Sequence, residues 1–378
     1  MYVKYPQVSD IIKAPPVMPL IPYFPQIFGV ESLMPPFYFT YFILALLVVA
    51  LVHEFSHGIY MKLFKTKIKS TGFAFLGPIL GAFVEEDKKQ FYKKKNFEQM
   101  VVLGAGVFAN ILFAIIFFLL LILFFNVSYT PSGYLFNSYA YNVVNVSDIS
   151  NYTEGINGWT NVNVNGTSFL FLGNNSVFSE AIKSNQTEYL LLYYDAPAIN
   201  SNLSGAIIEI DGKKVKGAED VSFYLQDKKP GENISIKTMI SDGKTNEYNL
   251  QLTEHPMHKN SSFLGITYLQ TKSSGIFSKI IAKITSYKKS STYYVANYNK
   301  DLAVYFYNLL WWIAMINLFV GLFNMLPLGI LDGGRFFYLA ILSVAKNKNT
   351  AEKSFKYATK FIGLIFLAMM IAWAFSLL

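Results

Sequence analysis

Cysteine is absent from the chain, and arginine nearly so: Lys and Arg together number 32, and Arg335 is the one arginine. Without cysteine there are no disulfides, no thiolate metal sites and no cysteine nucleophile. Charge is scarce as well. Charged residues make up only 15% of the 378-residue chain, against about 25% in an average soluble domain. Hydrophobic residues reach 53% and mean hydropathy is +0.32. These values argue against both a wholly cytosolic globular protein and a disordered one. The net charge of +8 would suit a nucleic-acid partner. Its near-total reliance on Lys does not, because base readout favours Arg and no basic recognition helix is present. The Lys residues read first as membrane topology signals, and no nucleic-acid partner is expected.

Apolar runs long enough to span a bilayer need about 20 residues, and four occur. The first starts near Pro36, runs to Val52 and continues as helix through HEFSHGIYMKLF; the second is Val101 to Phe125. The third is roughly Leu302 to Phe323 and the fourth Phe361 to Leu378, while the shorter Phe336 to Ala345 reads as a re-entrant or interfacial segment. No basic region, clean apolar run and cleavage site mark a secretory signal peptide. Residues 1–37 are apolar but studded with proline, which excludes a regular spanning helix and points to an outer or re-entrant cover.

Short cytoplasmic loops carry the excess of Lys. Lys62, Lys65, Lys67, Lys69, Lys88, Lys89 and Lys93 to Lys95 follow the first span, and Lys346, Lys348, Lys353, Lys356 and Lys360 separate the third from the fourth. Both segments are expected inside, which leaves the stretch between the second and third spans outside. Nine N-x-S/T sequons agree, at Asn126, Asn145, Asn151, Asn165, Asn174, Asn185, Asn202, Asn233 and Asn260; all lie at or beyond the end of the second span.

The expected organisation is therefore a polytopic α-helical membrane protein with an inserted, extracytoplasmic, β-rich domain. Residues 38–126 and 302–378 form the membrane core, and 127–301 the insertion. Within it, Ile207, Ile208 and Ile210 lead to a turn at Asp211-Gly212, a short helix at Ala218 to Gln226, a turn at Pro230-Gly231 and a strand through Ile234 and Ile236. With Asp195 to Ala198 (DAPA), residues of about 190–272 resemble a PDZ domain of the protease-associated kind. Ser204-Gly205 stands where such domains carry Gly-Asp. Residues 137–187 are Asn- and Gly-rich, with short apolar stretches that read as small strands or an insertion.

His53-Glu54-Phe55-Ser56-His57 is an H-E-x-x-H motif inside an apolar helical run. Two His four residues apart share one helix face, so both imidazoles reach one ion, and the intervening Glu can take a proton from water attacking a carbonyl. From Tyr38 to His53 is about 22 Å of helix, which places the motif within the bilayer toward the cytosol. Zinc needs a further donor. Asp332 is the carboxylate between Asp301 and Glu352, just after Pro327 and beside Gly333 and Gly334, where a helix breaks; it reads as that donor or as a helix cap. Ser56 has no free base to activate it. His255 and His258, flanking Pro256, read as a surface loop. Gly72 to Val84 forms a hairpin that either pairs with extended substrate or plugs the core.

HExxH in the first span, Asn324-x-x-Pro327-x-x-x-Leu331-Asp332-Gly333 after the third, Gly106 with Asn110 in the second, Gly81 to Glu85 and the PDZ-like insertion together resemble the site-2 protease family of intramembrane zinc metalloproteases. The resemblance implies that His53, His57 and Asp332 bind Zn2+ and that Glu54 is the general base. It also implies that Asn324, Asn110 and Gly81 handle substrate, Asn324 by helping to hold the substrate or the oxyanion. A multi-pass cell-membrane protease acting on membrane-anchored regulatory proteins follows from it. A non-catalytic scaffold using the PDZ-like domain is the alternative; a transporter would show repeated halves, and none is found.

Overall fold

The computed structural model describes residues 22–27, 34–76, 79–155, 158–183, 188–240, 243–269 and 283–376. The chain forms two compact units: Tyr129–Val295 is one, and the helices on either side of it form the other. Most of the proline-studded opening lies outside the described residues. One helical turn, Phe24–Ile27, places Phe24 edge-on against Phe37 and Trp312.

Helix α1 spans Phe39–Leu63, starting after Pro35 and Pro36, which hold the chain extended. Tyr41, Ala45, Val49, His53, His57 and Met61 are all buried on it, each four residues from the next. The same periodicity that packs the apolar side chains therefore carries both histidines inward, while Phe55 is 71% exposed. Lys65 in the left-handed region ends the helix, with Thr66 N–H on Met61 O and Lys65 N–H on Lys62 O, a Schellman closure. Strands β1 (Ile68–Leu76) and β2 (Ile79–Glu86) then form an antiparallel hairpin. Helix α2, Asn96–Ser128, exceeds the expected span by about a turn at each end. Its buried face includes Ala105, Gly106, Ala109 and Ala114, small residues that let helix backbones approach closely in a membrane.

The β-rich unit contains two principal sheets. Strands β3 (Tyr129–Leu135), β4 (Tyr141–Asn145), β5 (Ile149–Glu154), β6 (Thr160–Val164) and β7 (Thr167–Phe171) precede helix α3 (Asn175–Lys183) and strand β8 (Tyr189–Tyr194). These are followed by β9 (Ala206–Ile210), helix α4 (Ala218–Gln226), β10 (Asn233–Met239), β11 (Thr245–Gln251), β12 (Thr253–His255), β13 (His258–Phe263) and β14 (Thr292–Ala296). One sheet runs β11-β10-β9-β3-β14, so it recruits β3 and β14 from outside residues 190–272. Asp211 and Gly212, both at positive φ, make the tight turn after β9. Gly265, at φ +86°, passes so close to Ala196 that no side chain fits, and Ala198 N–H bonds Leu264 O at 3.0 Å. The small residues of the DAPA stretch are what admit that loop.

The other sheet, β4-β8-β7-β6-β5, is antiparallel throughout and has its own core of Val162, Val164, Phe169, Phe178 and Leu192. The Asn-rich stretch thus supplies four strands of a folded five-stranded layer, the fifth being β8 just beyond it, with Phe178 of α3 fully buried against the sheet.

Helix α5, Lys300–Asn324, is capped by Asn299, whose Oδ1 accepts from the N–H groups of Asp301 and Leu302 at 3.0 Å. Helix α6 is Asp332–Ala345 and helix α7 Lys348–Ser376. The Lys-rich stretch expected between the last two spans is for the most part the first half of α7, because Lys, Glu, Ala and Thr there contain no helix breaker. At 14 residues α6 is about 21 Å long, short of a bilayer core. Among the described residues, four helices, α1, α2, α5 and α7, are long and apolar enough to cross a membrane. Phe361, Leu364 and Leu367 of α7 are each more than half exposed, a surface suited to hydrocarbon rather than water. The chain is an integral membrane protein.

Candidate metal centre and active site

Helices α1 and α2 run antiparallel, and α6 brings a carboxylate to them across nearly 280 residues of sequence. His53 Nε2 and His57 Nε2 lie 3.1 Å apart, and Asp332 Oδ2 is 3.1 Å from the first and 3.3 Å from the second. Zinc bonds of about 2.0–2.1 Å make the edges of a coordination tetrahedron about 3.3 Å. The three donors therefore form one triangular face of the size a zinc ion takes, and two imidazoles with one carboxylate are a donor set it accepts.

Backbone constraints produce the triangle. Gly333 and Gly334 press against the Met325 and Leu328 carbonyls so closely that a Cβ at either would overlap them, which fixes the turn after α5 and starts α6 at Asp332. Arg335 Nη2 donates to Gln99 Oε1 at 2.6 Å, and its guanidinium lies 4.0 Å above the Tyr92 ring. This ties the first turn of α6 to the start of α2. Gly106 of α2 lies directly under both imidazoles: a Cβ there would sit 2.6 Å from His53 Cε1 and His57 Nε2. His57 Nδ1 is 2.7 Å from Val102 O, and Asn110 Nδ2 is 3.0 Å from His53 Nδ1.

Glu54 does not join the triangle. Its Oε2 accepts the Val84 N–H of β2 at 3.0 Å, which holds the carboxylate beside the donors. A cavity of about 360 Å³ is lined by His53, Glu54, His57, Val84, Asn324 and Asp332 among others. The other candidates from sequence divide. Asn324 closes α5 on the cavity wall, whereas Asn110 is completely buried behind His53.

In the hairpin, Gly81 lies on β2. Val84 N–H points away from β1, since it bonds Glu54, and backbone groups alternate along a strand. Ala82 therefore shares the outer edge of β2 with Val84, and Gly81 faces its partner Ala74 on β1. Ser56 Oγ donates back to Val52 O. His255 and His258 face each other across β12 and β13, where Nδ1 of His255 accepts from Met257 N–H at 3.1 Å. Partial burial and the neighbouring His258 hold the His255 pKa below the ordinary imidazole value.

Sequence reasoning missed the Val102 carbonyl, the Val84 amide and the Arg335–Gln99 tie. Only the first has a sequence signal, in spacing: Val102, Gly106 and Asn110 recur every four residues, the interval that separates His53 from His57.

Residues 41–370 match the model of peptidase family M50. An uncharacterized protein of Methanocaldococcus jannaschii is 26% identical over 294 residues, which cover 77% of this chain and 54% of that protein. The chain thus spans about half the length of that relative.

Proposed function

Because the chain belongs to peptidase family M50, a family of metallopeptidases, we propose that it is an intramembrane zinc endopeptidase cutting membrane-anchored regulatory proteins within or beside a transmembrane helix. The observation that carries this reading is the His53, His57 and Asp332 triangle with Glu54 alongside, the two histidines and Glu54 standing on a helix long enough to span a bilayer. His53, His57 and Asp332 would hold the ion, which when bound supplies Lewis acidity toward water and the scissile carbonyl.

The chain's own residues do the rest. Glu54, held by Val84 N–H, takes the proton of the attacking water and returns it to the leaving amine. Asn324 offers an amide to the carbonyl oxygen as it gains charge. A helical substrate hides its peptide groups in hydrogen bonds and must unwind before attack. The outer edge of β2 replaces those bonds by strand addition, through the N–H and C=O of Ala82. The Lys placement orients the hairpin to the cytoplasm and the β-rich unit to the outside. In the β-rich unit, the strand–helix–strand order from β9 to β10 supports a PDZ-like reading, and we assign it a filtering role toward substrates already shortened on that side.

The test uses the full chain in detergent with a transmembrane reporter. Glu54→Gln should retain zinc while single-turnover cleavage falls at least about a hundredfold; His53→Ala should lose the metal. A parent protein free of zinc, or a Gln variant cutting at the parental rate, would sink the proposal.

A further inference from the structure

We infer that Asn110 is a positioning residue whose carboxamide oxygen accepts the Nδ1–H of His53, fixing that imidazole in the tautomer that can ligate a metal. The inference rests on the metal reading of the site and assigns a role that the ligand triangle alone does not. Both Nε2 atoms point at Asp332 Oδ2. A nitrogen that ligates must offer a lone pair, so the ring proton of each histidine belongs on Nδ1.

For His57 the outcome is built in, because its Nδ1 neighbour is the Val102 carbonyl, which can only accept. For His53 the neighbour is an amide, which can present either end. With NH2 toward the ring, Nδ1 would be the acceptor, the proton would move to Nε2, and no lone pair would face the triangle. Exchanging oxygen and nitrogen leaves the shape of the side chain unchanged and gives the oxygen the His53 N–H as donor.

The surrounding helix supports the choice. Val102, Gly106 and Asn110 form a stripe on α2, one turn apart, facing His57 and His53 on antiparallel α1. The stripe offers an acceptor for each imidazole, with Gly106 making room between them. A fully buried amide inside a membrane helix is costly unless it is used, and here the ring nitrogen uses it.

Two substitutions of nearly equal shape separate the alternatives. Asn110→Asp can accept but not donate, and Asn110→Leu can do neither. Zinc affinity of the full chain in detergent is measured by competition with a chromogenic chelator, with far-ultraviolet circular dichroism as the folding control. The Leu variant should bind zinc about 10–100-fold more weakly, and the Asp variant within about threefold of the parent. Equal losses in both would overturn the assignment. If the Asp variant does not fold, the parent decides: with nitrogen-15 histidine and zinc added, the His53 resonances should show a protonated Nδ1 and a metallated Nε2. An unprotonated Nδ1 refutes the role of Asn110. A parent that binds no zinc removes the metal reading itself, an outcome distinct from a zinc-binding parent whose Asp and Leu variants behave alike.

Discussion

Replacing Gly106 with alanine separates metal binding from folding. The added Cβ would lie 2.6 Å from His53 Cε1 and His57 Nε2 and 2.7 Å from His53 Nδ1. Non-bonded heavy atoms prefer about 3.5 Å or more, so the rings must retreat by about 0.9 Å. Metal-ligand distances tolerate about 0.2 Å. One turn away on either side Val102 and Asn110 hold the rings, so neither can swing clear without losing its hydrogen bond. We expect zinc affinity to fall at least a hundredfold, about 2.7 kcal/mol. The helix itself gains from the exchange, since alanine is favoured over glycine in a helix interior by about 1 kcal/mol. Chelator competition reads the first effect, and circular dichroism with thermal unfolding in detergent the second. A Gly106→Ala variant with parental zinc affinity would refute the packing argument, and one that fails to fold would show that α2 tolerates no shift at all.

Asp332→Ala should lose zinc as well as cleavage, measured by metal analysis of the purified protein; full occupancy would reduce Asp332 to a helix-start residue. Protease protection or reporter fusions should place Lys88 inside and Asn165 outside, and protection of Asn165 in right-side-out cells would reverse the topology. The β12–β13 hairpin should loosen as pH falls. His255 has a depressed folded pKa, so the unfolded form binds the proton more readily. The neutral ring's contribution is present above the ordinary imidazole pKa of about 6.5 and is lost as pH drops below it. Amide exchange over 253–263 at pH about 7.5 and 5.5 reads this directly, and unchanged protection would count against it.

The chemistry was legible where it is local. HExxH announces itself because helical spacing places His53 and His57 on one face, and the scarcity of acidic residues in the third and fourth spans leaves Asp332 conspicuous. The strand and turn pattern from Ile207 to Ile236 reads directly as β9, α4 and β10, because alternation and turn residues are short-range signals. The sheet of β4 to β8 was harder, since β6 (TNVNV) alternates regularly while β4 (YNVVN) and β5 (ISNYTE) are polar and irregular and β8 (YLLLYY) is a continuous apolar run. Even so, Asn165-Gly166 between two alternating runs is a hairpin signal that sequence contains. What could not be read are facts of tertiary contact. Which residues of β2 turn their backbone groups to its outer edge follows from Val84 meeting Glu54, and which end of α2 anchors which histidine depends on the antiparallel crossing.

The stripe on α1 is spaced in strict fours, while a helix turn takes about 3.6 residues, so each step advances the buried direction by about 40°. From Ala45 to Met61 the inward direction therefore rotates by about 160°. The helix changes neighbours along the way: Ala45 and Val49 pack with Trp312, Ile313 and Ile316 of α5, and Met61 packs with Val102 of α2. His53 and His57 occupy the handover between the two. Rotational phase at this crossing is thus set from both sides, and a single residue inserted in α1 above His53 would turn both imidazoles by about 100° relative to α5. Such an insertion would dismantle the triangle while leaving every side chain of the motif in the sequence.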